Sequence, residues 1–261
     1  MSSILLIGTG RLAFHLGHAV VRSGAMVAGV AGRDPAKARS LAEALGCRAF
    51  PITGPLPKVD LRILAVSDDA LASVSALLPV DGTPVIHLSG SKSVELLAPH
   101  AHRGVLWPVR SFSQGAPVDF KGIPVIADAD DPDTFDVVRA LADHLSGSVV
   151  RLPHDKRQWL HLSAVIASNF PVFLLREAER LLTHQHIDPK LLHPLWAAAA
   201  GNALNGADQA VTGPARRGDV MTIGRQMELL AGEPELRRAY SALSDLILHT
   251  YHPETRDQQD L

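Results

Sequence analysis

Cysteine is almost missing from this chain of 261 residues, with Cys47 standing alone. A single thiol forms no disulfide within the chain, so a disulfide-stapled scaffold is excluded and the reducing cytoplasm is the expected compartment. An excess of either charge is missing too: 25 basic side chains face 27 acidic ones, a formal net charge of −2. That balance leaves no broad basic footprint for nucleic acid. No uninterrupted apolar run approaches the ~18 residues of a membrane span. The opening "MSSILLIG" lacks a charged signal-peptide start, so no secretory leader is expected. Internal repeats and long low-complexity tracts are lacking as well. What remains is globular material, 46% hydrophobic and 20% charged, enough for one large domain or two smaller ones. The polar end "HPETRDQQDL" is expected to fray.

The first part alternates short apolar strands with amphipathic helices. "ILLIG" (4–8) reads as a buried strand, 11–23 as a helix, "AMVAGVAG" (25–32) as a second strand. "DPAKARSLAEALG" (34–46) is a helix with Asp34 as N-cap, Pro35 in its first turn and Gly46 as its stop. Further strands are predicted at 59–67, 83–91, "GVLWPV", "IPVIAD" and "SVVRL", with helices at 68–78 and 131–147. This alternation predicts an α/β domain, a parallel sheet covered by helices on both faces. After about Leu152 no strand pattern appears. A long apolar helical segment from Asp155 to Leu182 is interrupted at Pro171, and helices follow at 188–206, 219–231 and 233–251. The division is therefore a dinucleotide-binding domain, 1–152, and an all-α domain, 153–261. Apolar helix pairs of this kind bury their faces against a second subunit, so a homodimer is expected.

Gly8, Gly10 and Ala13 form G-x-G-x-x-A between the first strand and the first helix. In a dinucleotide site the first glycine makes the tight turn and the second lets the backbone approach the pyrophosphate. The third small residue lets helix and strand pack closely. The phosphates rest on the positive helix N-terminus, where Arg11 and Leu12 also lie. The second strand ends "AGRDP". Arg33 suits a 2′-phosphate. Asp34 either reaches the ribose or caps the helix, and its place before Pro35 favours the cap. NADP is thus preferred over NAD.

Ligands of such sheets bind at the carboxyl ends of the strands. In "AVSDDAL", Ser67 and Asp68 are placed along the cofactor, unless Asp68 or Asp69 caps the next helix. In "HLSGSKS", Ser89, Gly90 and Ser91 end a strand, and Ser91 either donates to the substrate or, like Ser93, caps the helix from Val94. "HLSAVIASNF" is apolar almost all round and predicts a buried helix, on which His161, Val165 and Ser168 share a stripe with Asn169 at its edge. Pro171 frees the carbonyl of Ala167, where the helix can bend. Trp107, Arg110 and Phe112 either wall a pocket or pack in the core. "HQH" at 184–186 with His193 lacks the carboxylate or cysteine set of a metal site, and no metal is expected.

The segments "GVLWPVRSFSQGAPVDFKGIPVIAD", "WLHLSAVIASNF" and "AVTGPARRGDVMTIGRQMELL" resemble a bacterial family of Rossmann-like proteins whose second domain is catalogued as domain of unknown function 2520. The family is similar in layout to pyrroline-5-carboxylate reductases, β-hydroxyacid dehydrogenases and deazaflavin-dependent NADP oxidoreductases. The resemblance implies an N-terminal NADP domain, a dimerising helical domain of the 6-phosphogluconate dehydrogenase C-terminal-like kind, and an active site between them. β-Hydroxyacid dehydrogenases carry a catalytic Lys with an Asn one turn later. Asn169 matches that Asn, but Val165 stands where the Lys would be. His161 becomes the expected acid, with Ser91 and Asn169 as its catalytic companions. In "TGPARRGD", Arg217 and Thr212, with Ser89, are the expected substrate-binding residues, and the alternative is a pair of solvated arginines near a turn. The expected activity is NADP-dependent reduction of a C=O or C=N bond in a small carboxylic acid, such as ketopantoate or pyrroline-5-carboxylate. The alternative is a non-catalytic NADP-binding sensor acting through its helical domain.

Overall fold

A computed structural model describes residues 3–253. Most of the polar end expected to fray, 254–261, lies outside the described residues. The chain forms two compact units, which part between Asn169 and Phe170.

The first unit is built on an eight-stranded sheet of order β3-β2-β1-β4-β5-β6-β7-β8. Its strands are β1 (Ser3–Ile7), β2 (Met26–Gly32), β3 (Arg48–Pro51), β4 (Leu61–Leu64), β5 (Val85–His87), β6 (Arg103–Pro108), β7 (Val125–Ala129) and β8 (Val149–Arg151). Helices α1 (Arg11–Arg22), α2 (Pro35–Leu45), α3 (Leu71–Ser75) and α4 (Pro132–Leu145) connect them. The chain starts at the centre of the sheet, winds out to β3 and returns to β4 beside β1. The strand order thus reverses between β1 and β4, where doubly wound sheets open a crevice. "ILLI" can be wholly apolar because it is buried on both faces: Ile4 and Leu6 pack with Leu16, Val20 and Ile63, while Leu5 and Ile7 pack with Leu64, Val74 and Leu78.

The predicted caps form. Asp34 accepts from the N–H groups of Ala36 and Lys37 at 3.0 and 3.1 Å, and Gly46 ends α2 at φ 69°. Asp131 caps α4 through Thr134 N–H at 2.9 Å. Two features differ from the strands expected. Strand β7 runs antiparallel to β6. A parallel return needs a long crossover, normally a helix, and the stretch between these two strands folds as irregular loop. The edge strand β3, four mostly exposed residues ending in Pro51, was not predicted, because an edge strand needs no apolar run.

The strands stop at Arg151, and the first unit continues through α5 (His154–Ala164) and a π-helical turn, Val165–Asn169. The fully buried Arg157 holds α5 down by donating from Nη2 to the Lys92 carbonyl at 2.7 Å. The π turn falls just before Pro171, where the missing N–H leaves the Ala167 carbonyl without its α-helical donor.

Among its described residues the second unit has helices and connecting turns but no strand: α6 (Phe170–His184), α7 (His193–Leu204), α8 (Ala207–Ala210), α9 (Pro214–Arg217), α10 (Val220–Leu229) and α11 (Pro234–Tyr251). Arg180 of α6 ties to Glu177 at 2.8 Å and to Glu233, the N-cap residue of α11, at 2.7 Å. His193 pairs with Glu179 at 2.9 Å.

The helix expected to be buried is not. Leu162 is 47% exposed, Ile166 54% and Phe170 56%. Apolarity all round sets a demand for burial that one copy of the chain does not meet. The continuous helix His154–His184 is also long and apolar enough to cross a membrane by length and composition, with a mean hydropathy of 1.3 over 18 residues. A count of uninterrupted apolar residues misses this, because the polar residues His161, Ser163, Ser168 and Asn169 break the run.

Candidate functional site

The G-x-G-x-x-A turn is shaped by its glycines in different ways. Gly8 has φ 125°, and a Cβ there would collide with the Ala65 carbonyl oxygen. It therefore lets β1 turn hard against the end of β4. Gly10, the N-cap residue of α1, has ordinary extended backbone, and a Cβ there would meet nothing within 4 Å. The space beside it opens directly over the first N–H groups of α1, which have no side-chain cap. Ala13 is fully buried between α1 and the sheet. The residues thus fit a dinucleotide pyrophosphate, with Gly8 spent on the turn and Gly10 on approach. Arg11 is exposed at this turn, and Leu12 packs half-buried against the core.

From the turn a cleft of about 560 Å³ runs toward β2, lined by Gly8, Thr9, Gly10, Arg33, Asp34, Lys37 and Ser67. Arg33 is exposed at its rim. Asp34 is engaged with backbone N–H groups, chiefly that of Lys37, which hold its carboxyl below the usual range. Both cap bonds fall on Oδ1, while Oδ2 lies 3.8 Å from the Lys37 ammonium, and the Arg33 guanidinium stands at the same end of the cleft. Lys37, in the first turn of α2, was missed by sequence reading.

At the ends of β4 and β5 lies a polar cluster. Ser91 Oγ donates to Asp68 Oδ2 at 3.0 Å, joining two residues predicted separately. Asp68 therefore caps nothing, and Ser93 is the cap for the turn at Val94, accepting from Glu95 N–H at 3.2 Å. Ser91, expected to donate to substrate, thus has a charged acceptor of its own in Asp68. Ser89 Oγ accepts from the N–H groups of Ser91 and Lys92 at 3.3 and 3.2 Å, and so shapes the loop. Beneath them His87 is fully buried, its Nδ1 accepting from Ser89 N–H at 3.1 Å. Burial, with the Arg157 charge nearby, lowers its pKa to about 4.

A second cavity, about 300 Å³, is lined by Trp107, Arg110, Ser111, His161, Val165, Ser168 and Asn169. It unites the predicted stripe of α5 with the end of β6. The His161 ring lies 5.5 Å from that of Trp107, and among the described residues none hydrogen-bonds its nitrogens. Gly90 lets the β5 loop close on both rings, since a Cβ there would fall 2.7 Å from His161 Cδ2. Ser168 Oγ faces Ser111 Oγ at 3.5 Å. Arg110 is exposed at the rim and, among the described residues, is the one lysine or arginine lining the cavity. Phe112 does not wall it. It stacks on Phe120 in the core.

Arg217 and Thr212 belong to the second unit, both exposed. There Arg216 lies 4.0 Å over the Tyr251 ring, and Asp219 caps α10 through Thr222 N–H at 3.0 Å.

Residues 2–109 match the Rossmann-like domain family, and residues 123–247 match the family described as Domain of unknown function (DUF2520). No curated protein matches the sequence. Among solved structures, a protein of Bacteroides fragilis named as an NADP oxidoreductase is 30% identical, with 95% of this chain and 98% of that one covered and a TM-score of 0.88. A protein from Thermotoga maritima is 27% identical over 97% of this chain and 100% of its own, with a TM-score of 0.70. An imine reductase from Myxococcus stipitatus, in complex with NADP+, shares the fold at 16% identity, covering 98% of this chain and 94% of that one with a TM-score of 0.63. The two family matches, together with 30% identity over nearly the whole chain, establish that it belongs to the Rossmann-like proteins that carry the DUF2520 domain.

Proposed function

We propose that the chain is an NADP-dependent oxidoreductase that reduces a C=O or C=N bond of a small carboxylic acid, working as a homodimer. The observation that carries this reading is the cavity in which one imidazole, His161, and one guanidinium, Arg110, face the same space. The NADP oxidoreductase name of the Bacteroides fragilis protein supports it. Arg33, exposed at the rim of the cleft beyond β2, supports NADP over NAD, because a guanidinium suits a 2′-phosphate.

A bound nicotinamide supplies the hydride. The chain supplies the rest: Arg110 holds the carboxylate, Trp107 and Val165 exclude water, and Ser168 and Asn169 orient the polar end of the substrate. His161 gives the proton to the heteroatom as hydride arrives at carbon, the task of a general acid. Ser91 and Asp68 act at a distance, shaping the loop that presses on His161.

The test follows absorbance at 340 nm while the protein is offered NADPH or NADH with a panel of small keto and imino acids. NADPH consumption with at least one acid is expected. His161→Gln is expected to lower turnover about 10²-fold with NADPH affinity nearly unchanged. Arg33→Ala is expected to erase the preference for NADPH. A protein that binds NADPH but consumes none across the panel is instead a sensor, and equal affinity for both cofactors overturns the NADP assignment.

A further inference from the structure

Arg157 of α5 lies wholly inside the first unit. Burying a cation is costly unless a counter-charge and a full set of acceptors meet it. Arg157 is poorly provided with both. Nη2 donates to the Lys92 carbonyl at 2.7 Å and lies 3.2 Å from His154 Nδ1, while Nε and Nη1 meet no hydrogen-bond partner among the described residues. Burial pulls its pKa down, and the Asp128 charge offsets only part of that. What the arrangement secures is the loop after β5. That loop is tied on both sides of Gly90: before it, Ser89 N–H donates to the buried His87 Nδ1; after it, Ser91 is held by Asp68 at 3.0 Å and Lys92 by Arg157. The backbone at Gly90 lies outside the left-handed region, so the glycine serves close approach. A Cβ there would fall 2.5 Å from Trp107 Cε2 and 2.7 Å from His161 Cδ2. The two rings in turn lean on each other, with centroids 5.5 Å apart and planes inclined by 50°. Arg157 and His161 stand four residues apart on α5, so the arginine that holds the loop and the imidazole that the loop presses share one face of the helix.

We propose that Arg157 is a positioning residue for His161. It fixes Lys92 to α5, the fixed loop holds Gly90 against the Trp107 and His161 rings, and the imidazole is thereby confined to one orientation at the wall of the cavity it shares with Arg110. This rests on the reading of His161 as the proton donor. Catalytic histidines are commonly oriented by a hydrogen bond to the second ring nitrogen. Here steric confinement between a loop and an indole takes that place. Arg157 lines no part of the cavity and acts only through the loop. A misplacement of about 1 Å can cost ~10²-fold in rate, which gives the clamp its worth.

The experiment pairs kinetics with NMR spectra of protein carrying labelled histidine and tryptophan. Arg157→Met fills similar space without charge or donor, and apolar replacement of a buried ion is often neutral for stability. Its melting temperature is expected near that of wild type. Its kcat with a consumed acid is expected to fall about tenfold, with KM and NADPH affinity changed less than about twofold. The cross-relaxation between the His161 and Trp107 rings is expected to weaken at the same time. Arg157→Lys keeps a donor for the Lys92 carbonyl and is expected to restore most of both. Should Arg157→Met fail to fold, Gly90→Ala carries the test: its methyl displaces the two rings from the loop side, and the same fall in kcat and the same spectral change are expected. Unchanged ring contact in a folded Arg157→Met or Gly90→Ala overturns the inference, as does a fall in kcat that Arg157→Lys leaves unrestored. Wild-type protein that consumes no acid of the panel overturns the reading of His161 as proton donor, and the inference falls with it. Failure of the inference alone leaves wild-type turnover intact.

Discussion

His87 is wholly buried beneath the polar cluster at the end of β5, with Ser89 N–H on its Nδ1. Arg157 and His154 disfavour its proton while Asp68 favours it, and burial decides the balance at about 4. The unfolded chain, with a histidine pKa near 6.5, then binds the proton that the folded chain refuses. Because the folded value is depressed, this stabilisation is fully present above pH 6.5 and is lost as pH falls toward 4. Urea unfolding is expected to find about 2 kcal/mol less stability at pH 5 than at pH 7 from this one ring. His87→Gln keeps an acceptor for Ser89 and does not titrate, so its loss over that interval should be smaller by the same amount. An unchanged difference between the two proteins would assign the pH dependence elsewhere. Arg157 belongs to the same buried group, with Nε and Nη1 lacking hydrogen-bond partners among the described residues. Nothing in "HDKRQWLH" distinguishes this arginine from a solvated one. Its burial depends on the Lys92 carbonyl, 65 residues away.

At the scale of elements, the turn between β1 and α1 separates two requirements that the motif writes identically as glycine. Gly8→Ala must adopt φ 125° and displace the Ala65 carbonyl, so thermal or urea denaturation should register a loss of about 2 kcal/mol or more. Gly10→Ala meets no neighbour and no forbidden backbone. Its melting temperature should stay near wild type while NADPH affinity falls, because the added methyl lies over the helix N-terminus. Loss of affinity without loss of stability at Gly8, or the reverse at Gly10, would exchange these roles. The α2 boundaries were legible for a local reason: Asp34, Pro35 and Gly46 act within a few residues of themselves. The reversal of β7 was not, since strand direction is set by how the chain returns and not by the strand's own residues.

At the scale of the molecule, the apolar side chains of α5 to α7 need a cover. Ile166 and Phe173 are each more than half exposed, and Leu195 is 67% exposed. A second copy supplies that cover in the proposed homodimer, where an obligate interface would bury ~2,000 Å² or more. Light scattering at micromolar concentration is expected to report a dimer, and Phe173→Glu a monomer, because an unpaired carboxylate resists burial in an apolar contact. A monomeric wild-type protein would refute the assembly while leaving the dinucleotide site intact.

What the sequence determined by itself is whatever depends on neighbours along the chain. The alternation of apolar runs, the caps, the glycine turn and the shared stripe of His161, Val165 and Ser168 all follow from local periodicity and local hydrogen bonding. Tertiary structure decided which residues meet across distance. It gave the Ser91 proton to Asp68, brought Arg110 to His161 within the first unit, left Arg217 and Thr212 in the second, and pinned the β6–β7 loop on His15. The physical reason is that a side chain's rotamer and backbone preferences are intrinsic to it, whereas its hydrogen-bond partner is the donor or acceptor that packing of the whole chain brings within about 3 Å.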